Sequence, residues 1–270
     1  MQIALQSLLV LGGLGLALIA SDKAVAYTRA LAVARRAPAF IVGVALVSGG
    51  TDLPEIANSI AAHLQGAGDI DVGDSVGSAL TQYTLVLGLF PAIVAVIAID
   101  RRQIGSISAL CVLGLGITVG FVADGCLTRW EGRRPRSRMG GIHVAAREVP
   151  AGACARRSSG GAVSLGAPVG TSAPEIVVDM TALVRGVPAI ALGDALGSSL
   201  TDSRPSIGIG PIVAPAAVTP RLTIAGSLYS ILAIAVVGTV LGVRRRHDRT
   251  DAVVLLVLDG LAYAVPLGAE

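Results

Sequence analysis

Gly50-Thr51-Asp52-Leu53-Pro54-Glu55 leads into Gly73-Asp74-Ser75-Val76-Gly77-Ser78. Gly170-Thr171-Ser172-Ala173-Pro174-Glu175 leads into Gly193-Asp194-Ala195-Leu196-Gly197-Ser198. Residues 50–91 align with 170–211 without a gap at a constant offset of 120, and 16 of the 42 positions are identical. The identities include most of the glycine, proline and polar positions, so one structural unit is used twice.

Each copy is unsuited to an unbroken helix. Pro54 and Pro174 each remove an amide donor and clash with the preceding turn. Gly50 and Gly170 let the backbone open there. In an apolar segment the freed carbonyls and the nearby hydroxyls are tolerated only where they line a cavity or bind an ion. Glu55 and Glu175 add full charges that cost several kcal/mol in hydrocarbon unless paired or bound to a cation.

The surroundings are apolar. Of 270 residues, 53% are hydrophobic and 14% charged, against roughly 25% charged in an ordinary soluble domain. This excludes disorder, a basic nucleic-acid-binding domain and a disulfide scaffold; the three cysteines have no metal-ligand spacing. It predicts an all-α polytopic membrane protein. Eight stretches are long enough to span: 2–20, 38–63, 70–98, 105–123, 161–184, 188–216, 223–243 and 252–268. The basic residues follow the first apolar run instead of preceding it, so that run reads as a retained span and not a signal peptide. Placing the basic loops 23–36, 101–102 and 244–249 inside puts the N-terminus outside the cell membrane. An odd number of crossings then separates the two copies, which lie inverted, as in secondary transporters.

The second half of each copy closes a site. Gly77-Ser78 and Gly197-Ser198 permit close helix approach, and one turn beyond them stand Gln82 and Asp202. With Glu55 and Glu175 these form an all-oxygen cage suited to Ca²⁺, with Na⁺ as the monovalent alternative. No nucleophile–base pair is visible, so no enzyme activity, cofactor or nucleic-acid partner is expected; the partners are membrane lipid, Ca²⁺ and Na⁺ or H⁺.

The paired Gly-Thr-x-x-Pro-Glu and Gly-x-x-x-Gly-Ser motifs resemble the alpha repeats of the sodium/calcium exchanger (cation/calcium antiporter) superfamily. The resemblance implies an inverted-repeat antiporter of ten helices in two sets of five, exchanging Ca²⁺ for Na⁺ or H⁺. It implies Ca²⁺ ligation by Glu55 and Glu175, with contacts from Thr51, Ser78, Thr171, Ser172 and Ser198. Asp202 is a further carboxylate, and Gln82 stands where Asn or Asp is usual. Some positions depart from the pattern. Asp52 stands where the second copy keeps Ser172 and adds a charge at a Na⁺ position. Asp74 and Asp194 stand where Asn is commoner, as protonatable groups, and Ala79 and Ser199 replace an expected Asn. Arg204 is expected to lie half a turn from the cage and to neutralise Asp202.

The expected organisation is a first inverted repeat over 1–124 (motif 47–91), an Arg/Gly/Pro-rich segment over 125–160, and a second inverted repeat over 161–270 (motif 167–211). Eight of the 21 Lys and Arg residues fall between Arg129 and Arg157, in a stretch that cannot span and stands where two family helices belong. Two alternatives to antiport therefore stay open. One is a truncated or frame-disrupted relative that transports nothing, and the other is a cation-binding membrane protein without transport. Elsewhere, Asp69 and Asp71 read as loop charges, Asp259 as a polar contact, and His63, His143 and His247 as loop or span-end residues.

Overall fold

The computed structural model describes residues 2–123, 125–127 and 171–267. The Arg-rich centre, the start of the fifth expected span and His143 therefore lie outside the described residues.

The first helix, α1 (Gln2–Ala34), is longer than the apolar run that predicts it, so Lys23 and Arg29 sit on the helix and not in a loop. Pro38 then opens a broken helix: α2 (Ala39–Val42), a π-helical turn (Gly43–Val47), α3 (Ser48–Thr51) and α4 (Leu53–Leu64). The axis bends by 41° between Thr51 and Leu53. Pro54 lies in the first turn of α4, where its missing N–H deprives no intrahelical partner. The return path is α5 (Gly68–Thr81), a second π-helical turn (Gln82–Val86) and α6 (Leu87–Ile93). Strand β1 (Val96–Ala98) and α7 (Arg101–Val122) follow, with Arg102 N–H donating to the capping carboxylate of Asp100 at 2.8 Å. A short strand, β2 (Cys126–Leu127), ends this half.

The second half repeats the scheme: α8 (Ala173–Val184), α9 (Pro188–Thr201), a third π-helical turn (Asp202–Ser206) and α10 (Ile207–Val213). Then come β3 (Ala216–Ala217), α11 (Pro220–Arg244), β4 (Arg246–Asp248) and α12 (Arg249–Leu267). The loops Gln65–Ala67 and Arg185–Val187 turn through Gly66 and Gly186, both at positive φ and again 120 apart. Two antiparallel ladders tie the ends of the bundle, β1 with β4 and β2 with β3. The first of them holds Arg101–Arg102 and Arg244–Arg249, two of the basic loops, on one face, as the loop charges require.

Among the described residues, three helices are long and apolar enough to cross a membrane: Gly68–Ile93, Arg101–Val122 and Pro220–Arg244. The bent pair Ala39–Thr51 with Leu53–Leu64 makes a fourth. Helices also lie over 2–20, over 173–184 within the fifth expected span, over 188–213 within the sixth and over 252–267 within the last. Polarity runs opposite to that of a soluble domain. Leu113, Leu232 and Val253 are exposed on the outer helices, whereas Asp52, Glu55, Glu175, Asp194 and Asp202 are buried. Only a hydrocarbon surrounding with a polar interior suits that arrangement.

The internal two-fold can be located. Ser199 Oγ donates to Ala79 O at 3.3 Å, and residues 79 and 199 are repeat equivalents. In a two-fold arrangement equivalent residues meet only beside the axis, so the axis passes between α5 and α9. Around it, α9 packs on the broken helix of the first repeat, α1 lies along α8, and α7 pairs with α11 outside them.

Candidate cation site

Asp52 interrupts the first broken helix at φ −79°, ψ −2°, and Ser172 precedes α8 at φ −78°, ψ 7°. The helix break predicted from the Gly-Thr-x-x-Pro-Glu pattern is thus present at both equivalent positions, with the residue in the bridge region of backbone space. Each break sets its glutamate in the first turn of the following helix, where the N-terminal dipole favours negative charge. The inverted packing brings the two turns together. One carboxylate oxygen each from Asp52, Glu55 and Glu175 lies within 4.8 Å of the others. Ca²⁺–oxygen bonds run 2.3–2.6 Å, so oxygens sharing one such ion are spread over about that distance.

The repeats also exchange hydroxyls. Thr51 Oγ1 donates to Asp194 Oδ1 at 3.3 Å, and Thr171 Oγ1 donates to Asp74 Oδ1 at 2.9 Å. These are the same contact carried across the two-fold. Asn58 Nδ2 fills the other side of Asp74 at 2.7 Å, whereas the carboxyl of Asp179 lies against Asp194. Ser78 Oγ stands 3.4 Å from Thr171 Oγ1.

The other predicted oxygen donors stand on α5 and α9 or at their C-terminal ends. Gln82 and Asp202 each open a π-helical turn, a form found mostly at functional sites. Both are buried, as are Ser78 and Ser198. Gly197 permits the approach, because a Cβ there would lie 2.6 Å from Ser48 Oγ and 2.9 Å from Val44 Cα. Among the described residues, many of the buried oxygens predicted for the site have no hydrogen-bond partner: both of Glu175, Oε2 of Glu55, Oε1 of Gln82, Oδ1 of Asp202, and the hydroxyls of Ser172 and Ser198. Ser198, Thr201 and Thr51 surround Asp52, yet neither Asp52 oxygen has a partner in hydrogen-bonding geometry. None of Asp52, Glu55, Glu175 and Asp202 forms an ion pair with a described basic residue. Buried carboxylates left without partner or counter-charge are costly while ionised, and a bound proton or a bound cation relieves that cost. The donor set is entirely oxygen, hard and anionic, and fits a hard cation.

Two expectations are corrected. Arg204 does not neutralise Asp202. Its guanidinium turns outward, Nη2 donating to Leu110 O at 2.8 Å, and its stem lies over Gly114. Asp69 and Asp71 are not loop charges but buried residues in the first turn of α5. Asp69 accepts from Thr219 Oγ1 at 2.8 Å, and Asp71 pairs with His63 at 2.8 Å. His63 and His247 do lie at a span end and in a link between spans, as expected, and are also fully buried, His247 Nε2 donating to Leu87 O at 2.6 Å. Reading each polar residue beside its equivalent at offset 120 is the signal that would have paired Thr51 with Asp194 and Thr171 with Asp74.

The Sodium/calcium exchanger protein family matches the chain over residues 5–133 and 162–265. The chain belongs to the sodium/calcium exchanger family. The two matched stretches take in both repeats of this exchanger and leave 134–161 between them. CaxA, a proposed antiporter of Alkalimonas amylolytica, is 25% identical to it over 93% of this chain and 95% of its own length. The sodium/calcium exchanger MaX1 of Methanosarcina acetivorans is 33% identical over 35% of this chain and 27% of its own. The solved structure of the sodium-calcium exchanger NCX_Mj, soaked with Na⁺ and Sr²⁺, has the same fold. It superimposes with a TM-score of 0.72 at 20% identity, over 94% of this exchanger and 96% of that chain.

Proposed function

We propose that this protein is a membrane antiporter that moves Ca²⁺ against Na⁺ or H⁺ through the cluster of Asp52, Glu55 and Glu175. The observation that carries the reading is the convergence of these three buried carboxylates, from two inverted repeats, with oxygens that have no partner and no basic counter-charge among the described residues. A dication there supplies the missing charge and the missing ligands together. Glu55 and Glu175 ligate it, and Asp202, Gln82, Ser78 and Ser198 complete its shell from α5 and α9. Thr51, Thr171, Ser172 and Asp52 provide the flanking positions for the counter-ion. Because each helix break belongs to a different repeat, rocking one repeat against the other opens the cluster to alternate sides.

The test is Ca²⁺ uptake into proteoliposomes driven by an outward Na⁺ gradient or, separately, an outward H⁺ gradient. Uptake that depends on one gradient and vanishes in Glu55→Ala and Glu175→Ala supports antiport and names the counter-ion. Residues 134–161, unmatched by the family and too polar to span, favour one further reading: a cation-binding protein without transport. Saturable ⁴⁵Ca²⁺ binding that needs Glu55, without flux under either gradient, would establish that reading in place of antiport.

A further inference from the structure

We propose that His63 and Asp71 form a proton-binding site, separate from the oxygen cage, that latches one end of the two-repeat bundle shut. The inference adds to the antiport reading and rests on it only for the latch's place in a transport cycle.

His63 lies near the end of α4 and Asp71 in the first turn of α5, each 1% exposed. His63 Nδ1 is 2.7 Å from Ala214 O, just beyond α10, and Nε2 is 2.8 Å from Asp71 Oδ2. A carbonyl only accepts, so Nδ1 carries a proton. The Nε2–Asp71 contact also needs one, held either as imidazolium facing carboxylate or as a carboxyl donating to neutral imidazole. The pair as placed therefore holds two protons. Removing one leaves a lone pair facing either the Ala214 carbonyl or the carboxylate, and one of the two bonds becomes repulsive.

The latch spans the repeats. One turn before His63, Ser59 Oγ donates to Ser206 O at 2.6 Å and accepts from Gly210 N at 3.2 Å. The hydroxyl is thus spliced into the helical ladder between residues 206 and 210, a known cause of local helix distortion. The His63 ring then lies on the bare backbone of Gly210, where a Cβ would overlap its Cδ2. Among the described residues, Asp74 on α5, held by Asn58 and Thr171, interacts with Asp71, and the π-helical turn that packs on α4 carries Asp202 and Arg204, the latter directed to Leu110 O. Residues 207–219 contribute no ionisable group.

Nothing like it exists at the repeat-related position. His63, Asp71, Ser59 and Gly210 correspond to Leu183, Ala191, Asp179 and Phe90. The asymmetry extends to packing: α4 lies closely along α10, whereas its counterpart α8 makes a much smaller contact with α6. Among the described residues only one end of the bundle carries this clamp, and opening that end pulls His63 from Ala214. Loss of the proton therefore favours opening.

The experiment places spin labels, through non-cysteine amino acids, at the exposed positions Leu64 and Ile212 on either side of the latch. Distances are recorded in proteoliposomes of the full chain as pH is raised. In the wild-type chain the separated population is expected to grow several-fold with pH. His63→Leu with Asp71→Ala, which installs the second repeat's residues, is expected to lose that response. Asp71→Asn is expected to stay closed at every pH, because its amide N–H can donate to a neutral Nε2. It also serves should the double variant fail to fold. A pH response that is absent in the wild-type chain, or unchanged in Asp71→Asn, overturns the proposal. Ca²⁺ uptake is measured in the same vesicles with Glu55→Ala as control, so failure of the antiport reading appears as absent flux and leaves the distance test standing.

Discussion

Thr171 donates to Asp74 across the repeat boundary at 2.9 Å, and the same contact recurs with the repeats exchanged, Thr51 to Asp194 at 3.3 Å. A hydrogen bond exchanged in this way fixes the two helix breaks relative to one another and so fixes the spacing of Glu55 and Glu175. It also gives Asp74 and Asp194 a role other than ligation, as posts against which the opposing break is held.

The two bonds are unequal, and the inequality is testable. Asp74 is held on both oxygens, by Asn58 and Thr171, whereas Asp194 Oδ2 has no hydrogen-bond partner. Hydrogen bonds to charged groups contribute about 1.5–3 kcal/mol in water-soluble proteins, and side-chain bonds between membrane helices average nearer 0.6. Thr171→Val is expected to destabilise by roughly 1–2 kcal/mol and Thr51→Val by less, read as thermal unfolding in detergent. An equal or reversed order would show that the longer bond contributes as much as the shorter.

Neutralising a cage carboxylate should move stability and affinity in opposite directions. Glu175 has both oxygens buried without partners, so in ion-free protein its charge is an uncompensated cost. Glu175→Gln is expected to raise the unfolding temperature without Ca²⁺ and to weaken Ca²⁺ binding by at least about tenfold, about 1.4 kcal/mol. Isothermal titration together with unfolding scans in EGTA separates the two effects. A variant that loses stability in EGTA as well would mark Glu175 as a structural residue.

Close approach at Gly197 offers a packing test independent of ions. A methyl group there meets Ser48 Oγ at 2.6 Å, Ser48 Cβ at 2.9 Å and Val44 Cα at 2.9 Å. Overpacking of this kind costs about 1–3 kcal/mol. Gly197→Ala should lower the unfolding temperature, and Ser48→Gly in the same chain should recover only part of the loss, because the Val44 backbone remains in the way. Full recovery would mean that α9 has room to shift.

What could be read from the sequence was whatever repeats. The helix breaks at 52 and 172, the paired glutamates and the inverted order all follow from the offset of 120 and the chemistry of proline and buried charge. The π-helical turns at 82 and 202 were not legible, because no residue type specifies one extra residue per turn. Asp69 and Asp71 were misread because charges beside a Gly-Ala-Gly loop look solvated until their partners, Thr219 for Asp69 and the buried His63 for Asp71, are seen to cover them. The ladders β1–β4 and β2–β3 were equally hidden, since strands of two or three residues carry no periodicity.

Arg204 shows the same limit most sharply, and it yields a prediction with a sign. From spacing alone its guanidinium falls beside Asp202, where it would repel a cation. The π-helical turn at Asp202–Ser206 instead rotates the side chain outward, over Gly114 and onto the Leu110 carbonyl, while Asp202 Oδ1 faces inward without a partner. If Arg204 neutralised the cage, Arg204→Met would tighten Ca²⁺ binding markedly. With the guanidinium directed away, the variant should leave Ca²⁺ affinity within about threefold, under 1 kcal/mol. It should instead lower stability, through the lost bond to α7, by about 0.5–1.5 kcal/mol. Asp202→Asn in parallel should weaken binding and leave the α7 contact intact. Equilibrium ⁴⁵Ca²⁺ binding and unfolding scans on the two variants distinguish the cases, and a large gain in affinity on removing Arg204 would return that residue to the cage.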